Sequence, residues 1–148
     1  MQPPESTAIR DRSLEELEPD AGPVSEGESY LSSEMRRLRQ VPLKQLRLED
    51  MRLLIGQSVG LQVLIPVALD HVESHPLAAG DFYPGDLLKN VMEVSESFWN
   101  GRPELRSRLV VALERALERI RNTRTVRELE GEFRAGLERH RAAFRKAV

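Results

Sequence analysis

The chain reads as an all-α single domain, a bundle of about six helices behind a flexible N-terminal tail. Three observations predict this. Apolar residues recur at steps of three and four through residues 29–148. No run alternates with a period of two, and no segment repeats another. Prolines and glycines fall between the periodic stretches, at Pro42, Gly56, Gly60, Pro84-Gly85 and Pro103. The chain's 148 residues suffice for one core, since a chain of that size buries about 68–70% of its unfolded surface.

Residues 1–28 combine Pro3, Pro4, Pro19, Gly22, Pro23 and Gly27 with many acids, a composition that opposes packing. They are expected to form the flexible acidic tail, with residues 29–148 as the helical domain. Within the tail, Leu14 and Leu17 in S-L-E-E-L-E can form a short docking turn.

Ser29 suits the cap of a helix with Tyr30, Leu31, Met35 and Leu38 on one side, ended by Pro42. The next helix starts near Leu48, with Glu49 and Asp50 in the dipole-favoured first turn and a stripe of Leu48, Met51, Leu54 and Ile55. Gly56 and Gly60 mark its end or a close helix contact. A third helix carries Leu61, Leu64, Ile65, Ala68, Leu69 and Val72, with Pro66 as a kink or a first-turn residue. The fourth follows Pro84-Gly85-Asp86 and turns Leu87, Leu88, Val91 and Met92 inward. The fifth opens on Pro103 as its first residue, near the possible cap Asn100. It buries Leu105, Leu109, Ala112, Leu113, Ala116, Leu117 and Ile120, and Asn122 is a suitable left-handed stop. The last opens on the capping pattern Thr125-Val126-Arg127-Glu128 and runs through Leu129, Phe133, Leu137, His140 and Phe144. Gly131 and Gly136 weaken it by about 1 kcal/mol each, so it needs docking.

Charge is unevenly placed on a chain of net −2. Residues 48–96 hold eight acids and two bases, whereas residues 101–148 hold seven acids and thirteen bases. Such segments either neutralise one another in the fold or attract partners of opposite sign. The arginines of the last two helices, Arg106 and Arg108 among them, interleave with glutamates and lack exposed aromatics, which reads as a solvated face and not a nucleic-acid surface. With no cysteine there is no disulfide framework or thiolate metal site. The start lacks the basic and apolar regions of a secretory signal, so the chain is expected in the cytoplasm. The uncharged run Leu53–Leu69 is short for a membrane span and includes Gln57, Ser58, Gln62 and Pro66, so a buried core hairpin explains it better.

Three constellations could carry chemistry. Gly56-Gln57-Ser58-Val59-Gly60 has G-x-S-x-G spacing, but a nucleophile elbow needs a strand before it and a parallel sheet around it. His71 and His75 lie four apart, yet H-V-E-S-H places its glutamate wrongly for a zinc protease, and Pro76 follows at once. Asp81 and Asp86 could pose as an acid–base pair, but both stand where caps and loop braces are wanted. No catalytic residue, cofactor or metal ligand is assigned, and the chain is expected not to be an enzyme.

The most informative stretch is LAAGDFYPGDLLKNVMEVSESFW at 77–99. Gly80, Pro84 and Gly85 force a turn, Asp81 and Asp86 crowd it with carboxylates, and Phe82, Tyr83 and Trp99 add aromatics. Rigid apolar surface of this kind either packs or touches something else. Asp81, Phe82, Tyr83 and Asp86, with Trp99 in support, are therefore the candidate partner-binding residues.

The order of motifs resembles the immunity proteins of bacterial contact-dependent growth inhibition systems. It runs S-L-E-E-L, then L-x-x-x-P-L (Leu38 to Leu43), then L-x-L-E-D-M-R-L-L-I-G-Q. G-L-x-x-L-I-P-V-A-L, H-P-L-A-x-G-D-F-Y-P-G-D-L-L and a delayed F-W follow. The likeness spans about residues 13–117 and is strongest at Arg52–Gln57, Leu64–Leu69 and Gly80–Leu88. Arg47 departs from the pattern, standing where a small hydroxyl cap is expected. The resemblance implies a cytoplasmic, non-enzymatic inhibitor that binds a cognate toxin domain delivered by a sibling cell and blocks it. The acidic middle would complement a basic toxin. The competing reading is a helical adaptor or regulatory subunit with an unrelated protein partner.

Overall fold

Ser13 and Ser29 start the first two helices by the same device. Each hydroxyl oxygen accepts a hydrogen bond from the backbone N–H three residues on, from Glu16 at 3.3 Å and Ser32 at 3.1 Å. The computed structural model describes residues 9–19, 29–121 and 127–146. Among them eight α-helices follow in order: α1 (Leu14–Leu17), α2 (Tyr30–Arg39), α3 (Leu48–Gly56), α4 (Leu61–Ser74), α5 (Asp86–Met92), α6 (Glu96–Trp99), α7 (Pro103–Arg121) and α8 (Arg127–Lys146). No strand forms among the described residues, only two isolated bridges, Ser13 with Pro42 and Ala79 with Pro84. The all-α single domain is as expected. The two helices beyond six are α1 and α6, single turns too short to show a period.

The docking turn expected in the acidic N-terminal stretch is α1. Leu14 is buried, and the Leu43 N–H donates to the Arg12 carbonyl at 2.9 Å. Helix α1 thereby caps the turn between α3 and α4, and Gly60 makes room for it. A Cβ on Gly60 would lie 2.8 Å from the Leu14 methyls, and its φ of +67° also suits glycine. Helix α2 buries Met35 and Leu38, but Tyr30 is 82% exposed and Leu31 38%. Of the four apolar residues expected on one side of this helix, the two in its first turn are thus left at the surface, Leu31 only in part.

Helix α3 starts at Leu48 despite its unusual cap. The Asp50 carboxylate accepts from the Arg47 backbone N–H at 2.9 Å, while the Arg47 guanidinium, which cannot accept, pairs with Asp50 at 3.3 Å. Half of the reciprocal capping motif thus forms without a hydroxyl. Gly56 ends α3 and also admits α5, since a Cβ there would meet the Asn90 amide at 2.9 Å. The uncharged run Leu53–Leu69 is a helix–turn–helix with Leu54, Ile55, Leu64, Ile65, Ala68 and Leu69 buried, the expected core hairpin. Among the described residues no helix is long and apolar enough to cross a membrane. Pro66 sits in the second turn of α4, which runs through it; the carbonyl it leaves without an N–H belongs to exposed Gln62.

Helices α3, α4, α5 and α7 surround one core, and α8 lies along α7 and across α5. Each fully buried leucine or isoleucine there contributes about 1.5–3 kcal/mol. Pro103 is the first residue of α7 as expected, and Leu109, Ala112, Leu113, Ala116 and Ile120 are buried; Leu105 and Leu117 are half-buried. Helix α8 buries Leu129, Phe133, Leu137 and His140. Gly136 lets α8 pack close to Met92, whose sulfur would lie 2.5 Å from a Cβ there and would have to shift. The expected stop at Asn122 and the capping residues Thr125 and Val126 lie outside the described residues.

Candidate functional site

The loop 77–85 between α4 and α5 is held from below by two carboxylates. Asp86, the first residue of α5 and 2% exposed, accepts from the N–H of Gly80 at 2.6 Å, of Phe82 at 3.1 Å and of Tyr83 at 3.4 Å. Glu49 on α3 accepts from the N–H of Asp81 at 2.9 Å. Four successive amides thus find acceptors on two side chains, in place of a helix or sheet partner. Two positions in the loop favour glycine. A Cβ on Gly80 would lie 2.5 Å from the Glu49 carboxylate, and Gly85, at φ +91°, packs between Leu77, Leu129 and Phe133.

Arg52, one turn beyond Glu49, ties the brace together. Its guanidinium grips Glu49 with two bonds of 2.6 Å and lies 3.9 Å from Asp86. The arginine hydrogen bond, supported by the Asp81 N–H, holds the Glu49 carboxyl below the usual carboxylate range against the opposing effect of its burial. The same guanidinium sits 4.4 Å from the Phe82 ring centroid. On the other flank Lys89 pairs with Glu132 of α8 at 3.2 Å.

The structure separates the five predicted partner-binding residues into two groups. Asp81, Phe82 and Tyr83 reach the surface, with Phe82 68% exposed and Tyr83 37%. Asp86 lies beneath them as the brace. Trp99 is 1% exposed in the core, where its indole N–H donates to the Val94 carbonyl at 3.0 Å. The second aromatic beside Trp99 is Phe98, also buried, against the ring of Trp99 at 5.1 Å.

The acidic middle is largely neutralised within the fold. Six of its eight acids meet cations: Glu49 and Asp86 at Arg52, Asp50 at Arg47, Asp70 at Arg10 and Arg108, Glu73 at Arg108, and Glu96 at Arg106. Asp81 and Glu93, both exposed, form no ion pair among the described residues.

The other constellations resolve into structure. Ser58 adopts φ +59° at the end of α3, where its N–H donates to Ile55 and the Val59 N–H donates to Leu54. This is a helix C-cap and not the strand-to-helix elbow that G-x-S-x-G requires. Among the described residues His71 and His75 join no group of three or more histidines and carboxylates placed to hold a metal ion.

Sequence reasoning missed a polar cluster inside the bundle. Arg106, expected on a solvated face, is 4% exposed and pairs with Glu96 at 2.7 Å. Its register was visible: it stands three residues before Leu109 and seven before Leu113, on the apolar stripe. His140, fully buried, bonds to the Met92 carbonyl at 3.1 Å and stacks edge-on to Trp99 at 5.5 Å. Burial, with the nearby Arg139 and Arg106, pushes its pKa down, opposed by the Met92 carbonyl and Glu96.

These features define a class: a small all-helical protein that displays a braced aromatic loop. The chain belongs to the CDI immunity proteins, whose family model matches residues 15–109. That range runs from the second residue of α1 through the first turns of α7 and includes the whole loop. No curated protein and no solved structure matches it.

Proposed function

We propose that this chain binds the toxin domain of a contact-dependent growth inhibition system and neutralises it by non-covalent occupation of its surface. The protein does so in the cytoplasm, with no cofactor and no bond-making step. Asp81, Phe82 and Tyr83 are the contact residues; Asp86 braces them, and Trp99 supports α5 and α6 from within. One observation carries the choice of surface: a large aromatic ring stands 68% exposed on a loop whose four amides at residues 80–83 are fixed from beneath. An anchor held in place before binding loses little conformational freedom on association, which is what a contact residue needs.

Co-expression with the cognate toxin domain tests the reading. Cells making this chain survive the toxin, and Phe82→Ala at equal protein levels reduces protection. Continued killing at full levels of the unaltered chain rejects the function. Full protection by a folded Asp81→Asn/Phe82→Ala variant rejects this surface.

A further inference from the structure

In a trans peptide unit the C=O points opposite to the N–H that follows it. The N–H groups of Asp81 and Phe82 point inward to Glu49 and Asp86, and that of Tyr83 leans the same way. The carbonyls of Gly80, Asp81 and Phe82 are therefore turned outward. None of the three accepts a backbone hydrogen bond among the described residues, whereas the next carbonyl, Tyr83, accepts from Asp86 at 3.1 Å. The two carboxylates that brace the loop thus convert it into a surface of acceptors. Asp81 adds an exposed carboxylate with no ion pair among the described residues. In the middle stands Phe82, with Arg52 on one face of its ring and most of the remainder open.

We infer that this loop recognises an arginine side chain of the bound toxin. The inference rests on the toxin-binding reading and names the chemistry of that contact. A guanidinium supplies what the surface lacks: five donors in a planar fork, for the carbonyls and the Asp81 carboxylate, and a flat cation for the open ring face. Lysine brings a cation but neither the fork nor the plane. The arginine already under Phe82 does not oppose this arrangement, because Glu49 holds it in a two-bond ion pair.

Isotope-labelled protein titrated with the blocked tripeptide acetyl-Gly-Arg-Gly-amide tests this by amide NMR. The lysine and citrulline peptides are the controls, citrulline keeping the shape of arginine without its charge. Arginine peptide shifts the amides of Asp81, Phe82 and Tyr83 saturably in the millimolar range, lysine peptide does so more weakly, and citrulline peptide does not. Phe82→Ala and Asp81→Asn, both at the surface, each weaken arginine binding roughly 2–5-fold. Equal shifts from arginine and citrulline, or shifts confined to other acids such as Glu93, overturn the inference. Unmoved loop amides overturn it too, and if Phe82→Ala still reduces protection in cells, the toxin-contact reading survives alone. Arginine binding at the loop, with full protection by the double variant, upholds the cation site and rejects the loop as the toxin contact.

Discussion

An arginine guanidinium lies 4.4 Å from a phenylalanine ring at two places in this molecule, Arg52 over Phe82 and Arg102 over Phe98. Each phenylalanine is followed by a second aromatic, Tyr83 or Trp99. Yet Phe98 and Trp99 are 7% and 1% exposed, while Phe82 and Tyr83 are 68% and 37% exposed. The backbone makes the difference. Phe98 and Trp99 belong to the single turn α6, set between α5 and α7, where the Asn100 N–H donates back to Glu96 and closes the turn. The side chains are then free to pack inward. In the loop the amides have no helix, and the carboxylates that satisfy them occupy the inner side, so the rings are turned out. A polar brace inside leaves the apolar group outside.

Trp99→Ala tests the buried pair most severely. Removing a fully buried indole costs about 3–5 kcal/mol, a large part of the 5–15 kcal/mol that a domain of this kind has. Denaturant unfolding followed by circular dichroism measures it, since Trp99 is the chain's one tryptophan and its fluorescence is lost with it. A change under about 1 kcal/mol would mean that the two aromatic pairs are not distinct in packing.

Asp86→Ala tests the brace, with an expected loss of about 2–3 kcal/mol, because the N–H groups of Gly80, Phe82 and Tyr83 lose a charged acceptor beneath the surface. Amide exchange at 80–83 should accelerate while the core of α7 stays protected. Uniform acceleration would show that the loop and the bundle open together.

Acid tests the buried side differently. His140 touches Trp99, and its folded pKa lies below the unfolded value of about 6.5, so the unfolded chain binds the proton more readily. Its contribution is complete above about pH 6.5 and is lost as pH falls toward the folded value, at up to about 1.4 kcal/mol per unit. His71, though exposed, shifts the same way, by partial desolvation and Arg10 against the opposing Asp70, and adds less to the slope. Glu49, depressed by Arg52, acts in a lower window: its stabilisation is present above its unfolded value near 4.5 and is lost as pH falls below it. His140→Leu should flatten the upper window and leave the lower one. An unchanged slope between pH 6.5 and 5 would remove His140 from this account.

Most of the frame was legible because it is periodic. The buried stripes of α4, α5, α7 and α8 follow from spacing, and the starts of α3 at Leu48 and of α7 at Pro103 follow from the acids and the proline of their first turns. The two aromatic pairs were not separable that way, because neither one-turn α6 nor the loop is long enough to have a period. Trp99 was grouped with Phe82 by proximity in sequence, and only the direction of the loop amides divides them. The brace was half-visible: Asp86 was read at a helix start, but its acceptor role needs Gly80 six residues back, and Glu49 lies 32 residues away. Arg106 was read by its residue type, although its position on the stripe pointed inward.

The smallest expected effect on stability decides the comparison. Phe82→Ala should change folding by about 0.5 kcal/mol, since the ring is mostly solvated and loses chiefly a surface cation–π contact. Phe98→Ala, the same substitution on the same chemistry, should cost about 3 kcal/mol. Affinity for the toxin domain should reverse that order. Phe82→Ala should weaken binding roughly tenfold or more, and Phe98→Ala should leave it unchanged in the fraction that remains folded. If both variants lost stability equally, Phe82 would be a core residue that the loop fails to cover. If neither altered affinity, the brace would hold up a surface that the toxin does not touch. Opposite responses in the two measurements are what a loop stiffened for contact requires, since the energy of an exposed anchor is realised on its partner and not in its own fold.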